Sequence, residues 1–339
     1  QHPAPDAGEV MTANPIVPTI PLDRPGKHHG FLRLPYSRND SAWGSVMIPI
    51  TVIAGGAGPT ALLTGGNHGD EYEGPIALQA LAWEIAPEDV TGRVIIVPYL
   101  NYPAFRAGTR VSPIDQINMN RCFPGRPDGS VSQKIAHYFD SVLVPMADIV
   151  LDYHSGGKTL DFLPYAAAHY LEDKDQQAKC VAAMQAFGAP YSMMMLEIDA
   201  VGMLDTAAES QGKVFVTTEL GGGGTATAAS AAIAIRGGRN LLRHAGILAG
   251  PVEAADDNVM LDMPGDDCFH FATRDGLLHP LADLGDAVRA GQPIARIWPA
   301  DRTGIEPVSV TANRDGIIAA RHFPGLVQTG DCLAVIAVR

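Results

Sequence analysis

Short runs of apolar and β-branched residues alternate with alanine-rich stretches of helical length through the first 250 residues of the chain. This alternation constrains the fold strongly, because each apolar run can form a buried strand and each helical stretch can pack on the resulting sheet. It predicts strands at 46–53, 60–64, 93–99, 149–153 and 213–219, and helices at 75–85, 131–144, 172–187 and 225–248. We therefore expect an α/β domain with helices on the faces of its sheet.

The character of the sequence changes near residue 250. Helical periodicity disappears there, and short strands predicted at 293–298, 308–311 and 333–338 alternate with Gly-Asp turns. The length of 339 residues exceeds the roughly 250 to 300 at which a single hydrophobic core stops growing, so two units are expected. We predict an α/β domain at 1–250 and a β-rich module at 251–339.

The net charge and the lack of long apolar segments argue against two classes of partner. A formal charge of −13 would repel the phosphates of nucleic acid. No stretch of the sequence approaches the ~18 consecutive apolar residues that a membrane span requires. The expected partners are a small-molecule substrate and further copies of the chain in a homo-oligomer, with no nucleic acid and no membrane.

Cysteine usage and the first residues bear on where the protein works. Residues 1–10 lack both the basic start and the apolar core of a secretory signal. The cysteines lie far apart without a CxxC pair, which indicates neither a disulfide framework nor a thiolate zinc site. They are Cys122, Cys180, Cys268 and Cys332. We therefore expect a cytoplasmic protein.

The segment at 65–75, GGNHGDEYEGP, places an imidazole and a carboxylate three residues apart on a glycine-rich loop that leads into a helix. The spacing of His68 and Glu71 is that of a metal half-site, because the glycines let the backbone bring both side chains to one point. An HxxE pair also arises by chance, and a histidine near glycines is often an ordinary loop residue. The prediction therefore depends on ligands from elsewhere in the chain.

Two further candidates stand at the ends of apolar runs. His154 follows the run at 149–153, and Glu219 ends the run at 214–219. Ligands of open α/β sheets gather at the carboxyl ends of strands, where both residues and His68 fall. Two imidazoles, one carboxylate and a separate base suffice for zinc hydrolysis. The alternatives are a core histidine at 154 and a carboxylate at 219 that caps the following helix.

A stretch rich in proline, glycine, asparagine and arginine runs from 101 to 127 and predicts a long ordered loop of the kind that is usually functional. Within it, Asn120 and Arg121 set an amide beside a guanidinium, whose planar fork suits a substrate carboxylate or a carbonyl oxygen. Arg110 is a second candidate, with a surface arginine as the alternative. Cys122 lacks the signature of a nucleophile and is expected to be a packed thiol.

Four motifs together resemble the succinylglutamate desuccinylase and aspartoacylase branch of the zinc carboxypeptidase superfamily: GGNHGDEYEGP, NMNRCFPG, LDYHSGG and TTELGGGG. The resemblance implies a zinc-carboxypeptidase-like mixed sheet with helices on both faces and a small C-terminal all-β module. It also implies one Zn²⁺ per chain.

The resemblance carries roles over to the matching positions. The implied roles are zinc ligation for His68, Glu71 and His154, general base catalysis for Glu219, and substrate clamping for Asn120 and Arg121, the latter also stabilising charge during catalysis. Arg110 matches less closely, because a short insertion separates it from that pair. Asn118 replaces the aspartate often found at the start of its motif, a departure that concerns the substrate rather than the metal.

The charges before the last catalytic motif bear on the substrate. No arginine occurs from 127 to 235, whereas an enzyme for aspartate or glutamate side chains would be expected to place one near that carboxylate. Acidic residues lie there instead: Glu197, Asp199, Asp205 and Glu209. We predict that these carboxylates, with Glu197 and Asp199 as the named candidates, bind a substrate ammonium group. An ordinary solvated acidic face is the alternative.

The stretch at 30–50, GFLRLPYSRNDSAWGSVMIPI, resembles the ectoine-degradation deacetylases that act on Nα-acetyl-L-2,4-diaminobutyrate, a substrate with a free side-chain amine. Together with the charge pattern, this resemblance favours a zinc-dependent amidohydrolase that releases acetate and L-2,4-diaminobutyrate. The alternatives are an N-succinylglutamate desuccinylase or aspartoacylase-like deacylase, a carboxypeptidase, and a non-catalytic zinc-binding module.

Overall fold

The computed structural model describes residues 14–253 and 257–339. Residues 1–10, for which the sequence predicts no secretory signal, lie outside the described residues, as do 11–13 and 254–256. Within the described part, no helix combines the length and the apolar character needed to cross a bilayer.

In the described part of the chain the strands belong to three sheets, and the strands predicted from the sequence are confirmed with small shifts at their ends. In chain order they are β1 (Val17–Pro18), β2 (Gly26–Pro35), β3 (Ser45–Ala54), β4 (Thr60–Thr64), β5 (Arg93–Val97), β6 (Ile149–Asp152), β7 (Leu160–Phe162), β8 (Tyr165–Ala168), β9 (Tyr191–Met194), β10 (Val214–Glu219), β11 (Val259–Asp262), β12 (Phe269–Phe271), β13 (Gly276–Pro280), β14 (Ala287–Val288), β15 (Pro293–Trp298), β16 (Val308–Thr311), β17 (Gly316–His322), β18 (Leu326–Val327) and β19 (Cys332–Ala337).

The four predicted helices are also present. In chain order the helices are α1 (Glu73–Glu84), α2 (Tyr102–Ala107), α3 (Val131–Tyr138), α4 (Val144–Met146), α5 (Lys174–Phe187), α6 (Leu204–Ser210) and α7 (Ala228–His244). A π-helical turn at Phe139–Leu143 joins α3 to α4, so the stretch predicted as one helix at 131–144 is continuous.

Ten strands form the large sheet in the order β1-β2-β3-β5-β4-β6-β10-β8-β9-β11. Its centre, β5-β4-β6-β10, is parallel, whereas β2-β3, β3-β5 and β10-β8 are antiparallel, so the sheet is mixed. Thr64 of β4 and Thr217 of β10 both pair with Asp152 of β6. Because the carboxyl ends of parallel strands meet at one edge, these three strands end side by side.

Side chains of the central strands alternate between two cores, as the two-residue repeat of a strand requires. Leu63 and Leu151 pack in the core that contains the buried faces of α1, α5 and α7. Leu62 and Val150 pack in a second core, with α3 and α6. Helices therefore cover both faces of the sheet, as the family resemblance implies.

The C-terminal strands form two antiparallel sheets, one containing β12-β19-β17-β14 and the other β16-β15-β13-β18. The predicted C-terminal all-β character is confirmed. Strands also link the two parts of the chain, because β7 pairs with β17 and β11 pairs with β9 at the edge of the large sheet. A domain boundary after residue 250 stays a prediction.

The loop predicted at 101–127 contains more structure than its sequence indicated. Asn101 begins α2 there by accepting a hydrogen bond from Ala104 N, and Gly108 ends it in the left-handed conformation with φ of 62°. A second helical turn occupies Met119–Arg121. Both are too short to show helical periodicity, which explains why the pattern did not predict them.

Gly69 separates His68 from Glu71 at a point where the backbone of α2 approaches closely. A Cβ atom at Gly69 would lie 2.1 Å from the carbonyl carbon of Ala104. We expect Gly69→Ala to lower the free energy of unfolding by about 1 to 3 kcal/mol, because the inserted methyl group forces the backbone to shift. Urea unfolding monitored by circular dichroism measures this change.

Gly325→Ala is the matched control. A Cβ atom there meets no atom within 4 Å, so the expected change in unfolding free energy stays within about 0.5 kcal/mol. Equal effects of the two substitutions would contradict the claim that α2 packs too closely on Gly69 for any side chain.

Candidate active site

Adjacent parallel strands bring three of the candidate residues to one edge of the large sheet. His68 lies in the loop after β4, His154 follows β6 by two residues, and Glu219 is the last residue of β10. The His154 amide donates a hydrogen bond to Thr218 Oγ1 at 3.1 Å, which ties the chain after β6 to β10. The expectation that these residues meet at the carboxyl ends of strands is confirmed.

His68, Glu71 and His154 form a compact buried group. His68 Nδ1 lies 2.7 Å from Glu71 Oε1, and His154 Nδ1 lies 3.0 Å from Glu71 Oε2. One potential ligand atom from each residue lies within 4.8 Å of the other two. All three side chains are nearly inaccessible to solvent, so they can hold a metal ion away from bulk water.

The other nitrogen of each imidazole has its own partner. His68 Nε2 donates to Asn118 Oδ1 at 3.1 Å, and His154 Nε2 donates to Asp152 Oδ2 at 2.8 Å. Asp152 is fixed in turn, because its Oδ1 accepts a hydrogen bond of 2.7 Å from Thr64 Oγ1. Partners of this kind set the tautomer and orientation of metal-binding histidines and leave Nδ1 of both rings directed at Glu71.

Burial and charge determine the protonation of the three residues. Burial lowers the pKa of His68 despite the nearby Glu71 carboxylate. Burial alone would raise the pKa of Glu71, but the imidazoles of His68 and His154 hold it well below its usual range. Burial opposes protonation of His154, yet Asp152 and Glu71 raise its pKa well above the ordinary value. The Glu71 carboxylate is therefore charged at neutral pH.

The contacts of His68 indicate a shared cation. Both of its ring nitrogens face oxygen acceptors, on Glu71 and on Asn118, whereas a neutral imidazole carries one proton. Burial disfavours a second proton on this ring. A divalent cation held by His68, Glu71 and His154 would resolve that conflict. Two imidazoles and one carboxylate are a common zinc donor set, so the residues fit a metal ion.

The triad forms part of the wall of a cavity, and Glu219 lines the same cavity. Glu219 Oε2 is buried and, among the described residues, has no hydrogen-bond partner. Burial and the charge of Glu71 raise the pKa of Glu219 well above its ordinary value. A carboxylate with a raised pKa accepts a proton more readily near neutral pH, which suits a general base.

The two candidate arginines both line the cavity. Arg110 Nη1 lies 3.4 Å from His68 Nδ1 and 3.6 Å from Glu71 Oε1, so its guanidinium lies against the triad. Arg121 Nε donates to Asp199 Oδ2 at 3.3 Å. Arg110, which matched the family motif less closely than Arg121, is therefore the arginine in direct contact with the metal-binding residues.

Asn120 lines the cavity and also holds its walls together. Its Oδ1 accepts hydrogen bonds from Asn67 Nδ2 at 3.1 Å and from Leu204 N at 2.9 Å. The Cys122 thiol beside it is half-buried, and burial together with the charge of Asp115 raises its pKa to about 12. An unreactive packed thiol, as the sequence indicated, agrees with this environment.

The acidic residues divide into two groups. Glu197 and Asp205 line the cavity, and Asp205 is only 6% exposed. Asp199 is absent from the cavity wall, has a side chain that is 65% exposed, and pairs with Arg121. Of the two named candidates for ammonium binding, the structure brings Glu197 to the site and leaves Asp199 outside it.

Two residues of the site were missed by the sequence-based prediction. Asp152 orients His154, and the signal was a carboxylate two positions before a histidine at the end of a strand. His169 directly follows β8, but the short alanine-rich run of that strand did not stand out as one. His169 Nδ1 donates to Glu209 Oε1 at 2.7 Å, and its Nε2 lies 3.7 Å from Asp205 Oδ2.

His169 makes the stability of the fold depend on pH. Burial alone would lower its pKa, but Glu209, Asp205 and Glu197 raise the pKa to about 9. Because the folded-state pKa lies above the unfolded value of about 6.5, the stabilisation is complete below pH 6.5 and is lost as the pH rises through about 9. We expect the unfolding free energy to fall by on the order of 3 kcal/mol across this range.

Urea unfolding of the wild type and of His169→Gln at pH 6 and pH 9.5 checks this expectation. Glutamine can still donate to Glu209 but does not titrate, so the variant should lack this part of the pH dependence. An identical pH dependence in both proteins would contradict the assignment to His169.

A comparison with family models matches residues 57–245 to the succinylglutamate desuccinylase/aspartoacylase catalytic domain. The matched range includes the metal-binding triad, Glu219 and both arginines. Among curated proteins, the chain is 55% identical over 325 residues to the N-alpha-acetyl-L-2,4-diaminobutyric acid deacetylase of Halomonas elongata, covering 96% of this chain and 95% of that protein.

Solved structures extend the similarity over nearly the whole chain. The product-bound structure of the ectoine utilization protein EutE (DoeB) from Ruegeria pomeroyi matches with a TM-score of 0.95 and 64% identity, over 96% of this chain and 99% of the other. A structure described as a succinylglutamate desuccinylase from Silicibacter sp. TM1040 matches with a TM-score of 0.94 and 65% identity, over 97% of this chain and 99% of the other.

Proposed function

We propose that this chain, which belongs to the succinylglutamate desuccinylase/aspartoacylase family, is a zinc-dependent deacetylase of Nα-acetyl-L-2,4-diaminobutyrate that releases acetate and L-2,4-diaminobutyrate. The observation that carries the proposal is the meeting of a buried His-Glu-His triad and a separate carboxylate in one cavity. The similarity to a deacetylase of this compound over 96% of the chain supports the choice of substrate.

In this proposal His68, Glu71 and His154 hold one zinc ion. When bound, zinc polarises a carbonyl oxygen and makes water a stronger nucleophile near neutral pH. Asp152 and Asn118 keep the two imidazoles in the orientation that this requires. Loss of these hydrogen bonds would leave the rings free to turn away from Glu71.

Glu219 carries the proton in this mechanism. The water that attacks the acetyl carbonyl must lose a proton, and the unpartnered oxygen of Glu219 can accept it within the cavity. Glu219 then passes the proton to the departing nitrogen, so that the amine leaves as a neutral group. Its raised pKa suits both steps, because it can hold the proton between them.

Arg110 and Arg121 provide the positive charge that faces the substrate in this mechanism. Arg110 lies against the triad and can stabilise negative charge that develops on the acetyl oxygen, and Arg121 can bind the substrate carboxylate or share that task. Asn120 fixes the loop that carries Arg121.

We also propose a cytoplasmic location, which the free thiols of all four cysteines favour.

A substrate panel tests the proposal. With zinc bound, we expect kcat/KM for Nα-acetyl-L-2,4-diaminobutyrate to exceed that for N-acetyl-L-aspartate and N-succinyl-L-glutamate by at least about 100-fold. An acidic side chain would meet the carboxylates of Glu197 and Asp205, and opposed like charges cost several kcal/mol. Amine release, followed with and without a chelator, is the measurement.

A preference for N-acetyl-L-aspartate or N-succinyl-L-glutamate would instead make the chain an aspartoacylase-like deacylase or a succinylglutamate desuccinylase. Release of a C-terminal residue from a peptide at a higher rate would make it a carboxypeptidase. Bound zinc without hydrolysis of any substrate would favour the non-catalytic alternative.

A further inference from the structure

A second group of titratable side chains lies at the cavity, on chain segments that carry none of the metal-binding residues, and two of its three members line the cavity. Glu197 follows β9, Asp205 lies in the first turn of α6, and His169 follows β8. One side-chain nitrogen or oxygen from each of the three lies within 4.8 Å of the others. Glu197 and Asp205 line the cavity that also contains the triad and Glu219.

The hydrogen bonds of this group leave two carboxylates incompletely satisfied. Asp205 Oδ1 accepts from Thr206, but among the described residues no hydrogen bond reaches its Oδ2. Its closest cationic atom is His169 Nε2, at 3.7 Å, and the Asp205 side chain is only 7% exposed. Glu197 likewise receives no hydrogen bond from the described part of the chain. Within the described part of the chain, Asp205 Oδ2 has only the ion pair with His169, and the partly exposed Glu197 has no hydrogen bond, so both carboxylates keep oxygens available to a cationic ligand.

The charges point in the same direction. Three carboxylates, of Glu197, Asp205 and Glu209, surround one imidazole, whose Nδ1 is already committed to Glu209. Even with His169 protonated, the group keeps an excess of negative charge. Burial, together with the charge of Asp205, raises the pKa of Glu197, and a bound cation would reverse that shift.

The imidazole of His169 lies between two carboxylates: its Nδ1 donates to Glu209 Oε1 at 2.7 Å, and its Nε2 lies 3.7 Å from Asp205 Oδ2. The ring can therefore act as a hydrogen-bond donor within the group, which leaves carboxylate oxygens as the acceptors for a ligand. An ammonium ion needs only oxygen acceptors, and the free oxygens of Asp205 and Glu197 provide them.

We propose that Asp205 and Glu197 bind the side-chain ammonium group of the substrate, and that His169 and Glu209 hold Asp205 in position. The inference rests on the proposed function for the identity of the substrate. The cavity wall then matches a substrate with both charges, because Arg110 and Arg121 provide positive groups for the carboxylate end. Met195 and Met203 also line the cavity and offer apolar surface to the methylene groups.

Binding of free amino acids tests the inference without relying on catalysis. L-2,4-diaminobutyrate is compared with L-2-aminopentanoate, in which a methyl group replaces the ammonium group at nearly the same size. Isothermal titration of the zinc-loaded wild type, Asp205→Asn and Glu197→Gln gives both affinities. Each variant is expected to bind diaminobutyrate about 10- to 100-fold more weakly than the wild type, because it loses a hydrogen bond between charged groups.

The affinity of each variant for aminopentanoate should change less than twofold, since that ligand has no ammonium group in this part of the cavity. Glu172→Gln removes an exposed acid outside the cavity and serves as the control for net charge. Thermal unfolding monitors the fold of each variant. kcat/KM on the two N-acetyl amino acids provides the parallel kinetic comparison.

Equal losses for both ligands, or no loss for diaminobutyrate, would overturn the inference. Loss of a second equivalent of bound zinc in Asp205→Asn would overturn it in favour of a metal site. Selective loss of diaminobutyrate binding in the variants supports the ammonium site, whether or not the wild type hydrolyses any substrate. Absence of hydrolysis by the wild type would contradict only the deacetylase proposal. The two proposals can therefore fail separately.

Discussion

Glu219→Gln is expected to lower kcat for Nα-acetyl-L-2,4-diaminobutyrate by about 10²- to 10⁴-fold, the usual contribution of a positioned general base. Glutamine nearly matches glutamate in size but cannot accept the proton of the attacking water. Glu219 is not part of the His68-Glu71-His154 group, so the zinc content should remain close to that of the wild type. Steady-state kinetics and elemental analysis of the same preparation measure the two quantities.

Glu73→Gln is the matched control for this prediction. Burial raises the pKa of Glu73 to about 7, so it is also a buried carboxylate with a raised pKa, but it does not line the cavity. Its Oε1 accepts from Ser230 Oγ at 3.3 Å instead. We expect less than about a tenfold change in kcat for this variant. A near-normal rate in Glu219→Gln would remove Glu219 from the mechanism.

His68→Ala is expected to weaken zinc binding by well over 100-fold, because loss of an orienting partner alone typically costs about 10- to 100-fold in metal affinity. The variant keeps Glu71 and His154, which still contact each other at 3.0 Å. Two ligands do not hold zinc in competition with a chelator. Zinc content after dialysis against a weak chelator, together with the dissociation constant from a competition assay, tests the expectation.

His279→Ala is the control for the general effect of removing a histidine. His279 is an exposed residue of β13 in the C-terminal sheets, where its Nδ1 accepts from Trp298 Nε1 at 3.3 Å. Its zinc content should equal that of the wild type. If His68→Ala retained one tightly bound zinc per chain, the ligand set assigned to this site would be wrong.

The location of the site followed from local patterns. The β-branched runs before His68, His154 and Glu219 predicted strands, and each strand is present in the sheet. Strand ends are readable from sequence because a buried strand needs a continuous apolar run, and the first polar residue after it marks the edge. The Gly-rich HxxE segment could be recognised for a similar reason, since its spacing is set by bonds within one loop.

The surroundings of the site were harder to predict. Arg110 contacts the triad although its sequence match was the less secure one, and Asp199 lies outside the cavity wall although it was a named candidate. The sequence pattern predicted neither placement, because the direction of a side chain in a loop depends on how distant segments pack around it. Asp205 lies in the first turn of the short helix α6, and its buried side chain faces His169, which follows β8 and is distant in the chain.

The sequence by itself determined the α/β class and the C-terminal all-β part, because these depend on periodicity within single segments, and its four motifs pointed to the triad and Glu219 as candidates through their resemblance to one family. The tertiary structure decided which polar residues share the cavity, which carboxylates lack partners, and how Asp152 and Asn118 direct the imidazoles. The physical reason is that burial and charge at a site arise from segments distant in the chain. Their positions are set by the order of strands in the sheet, which no local pattern specifies.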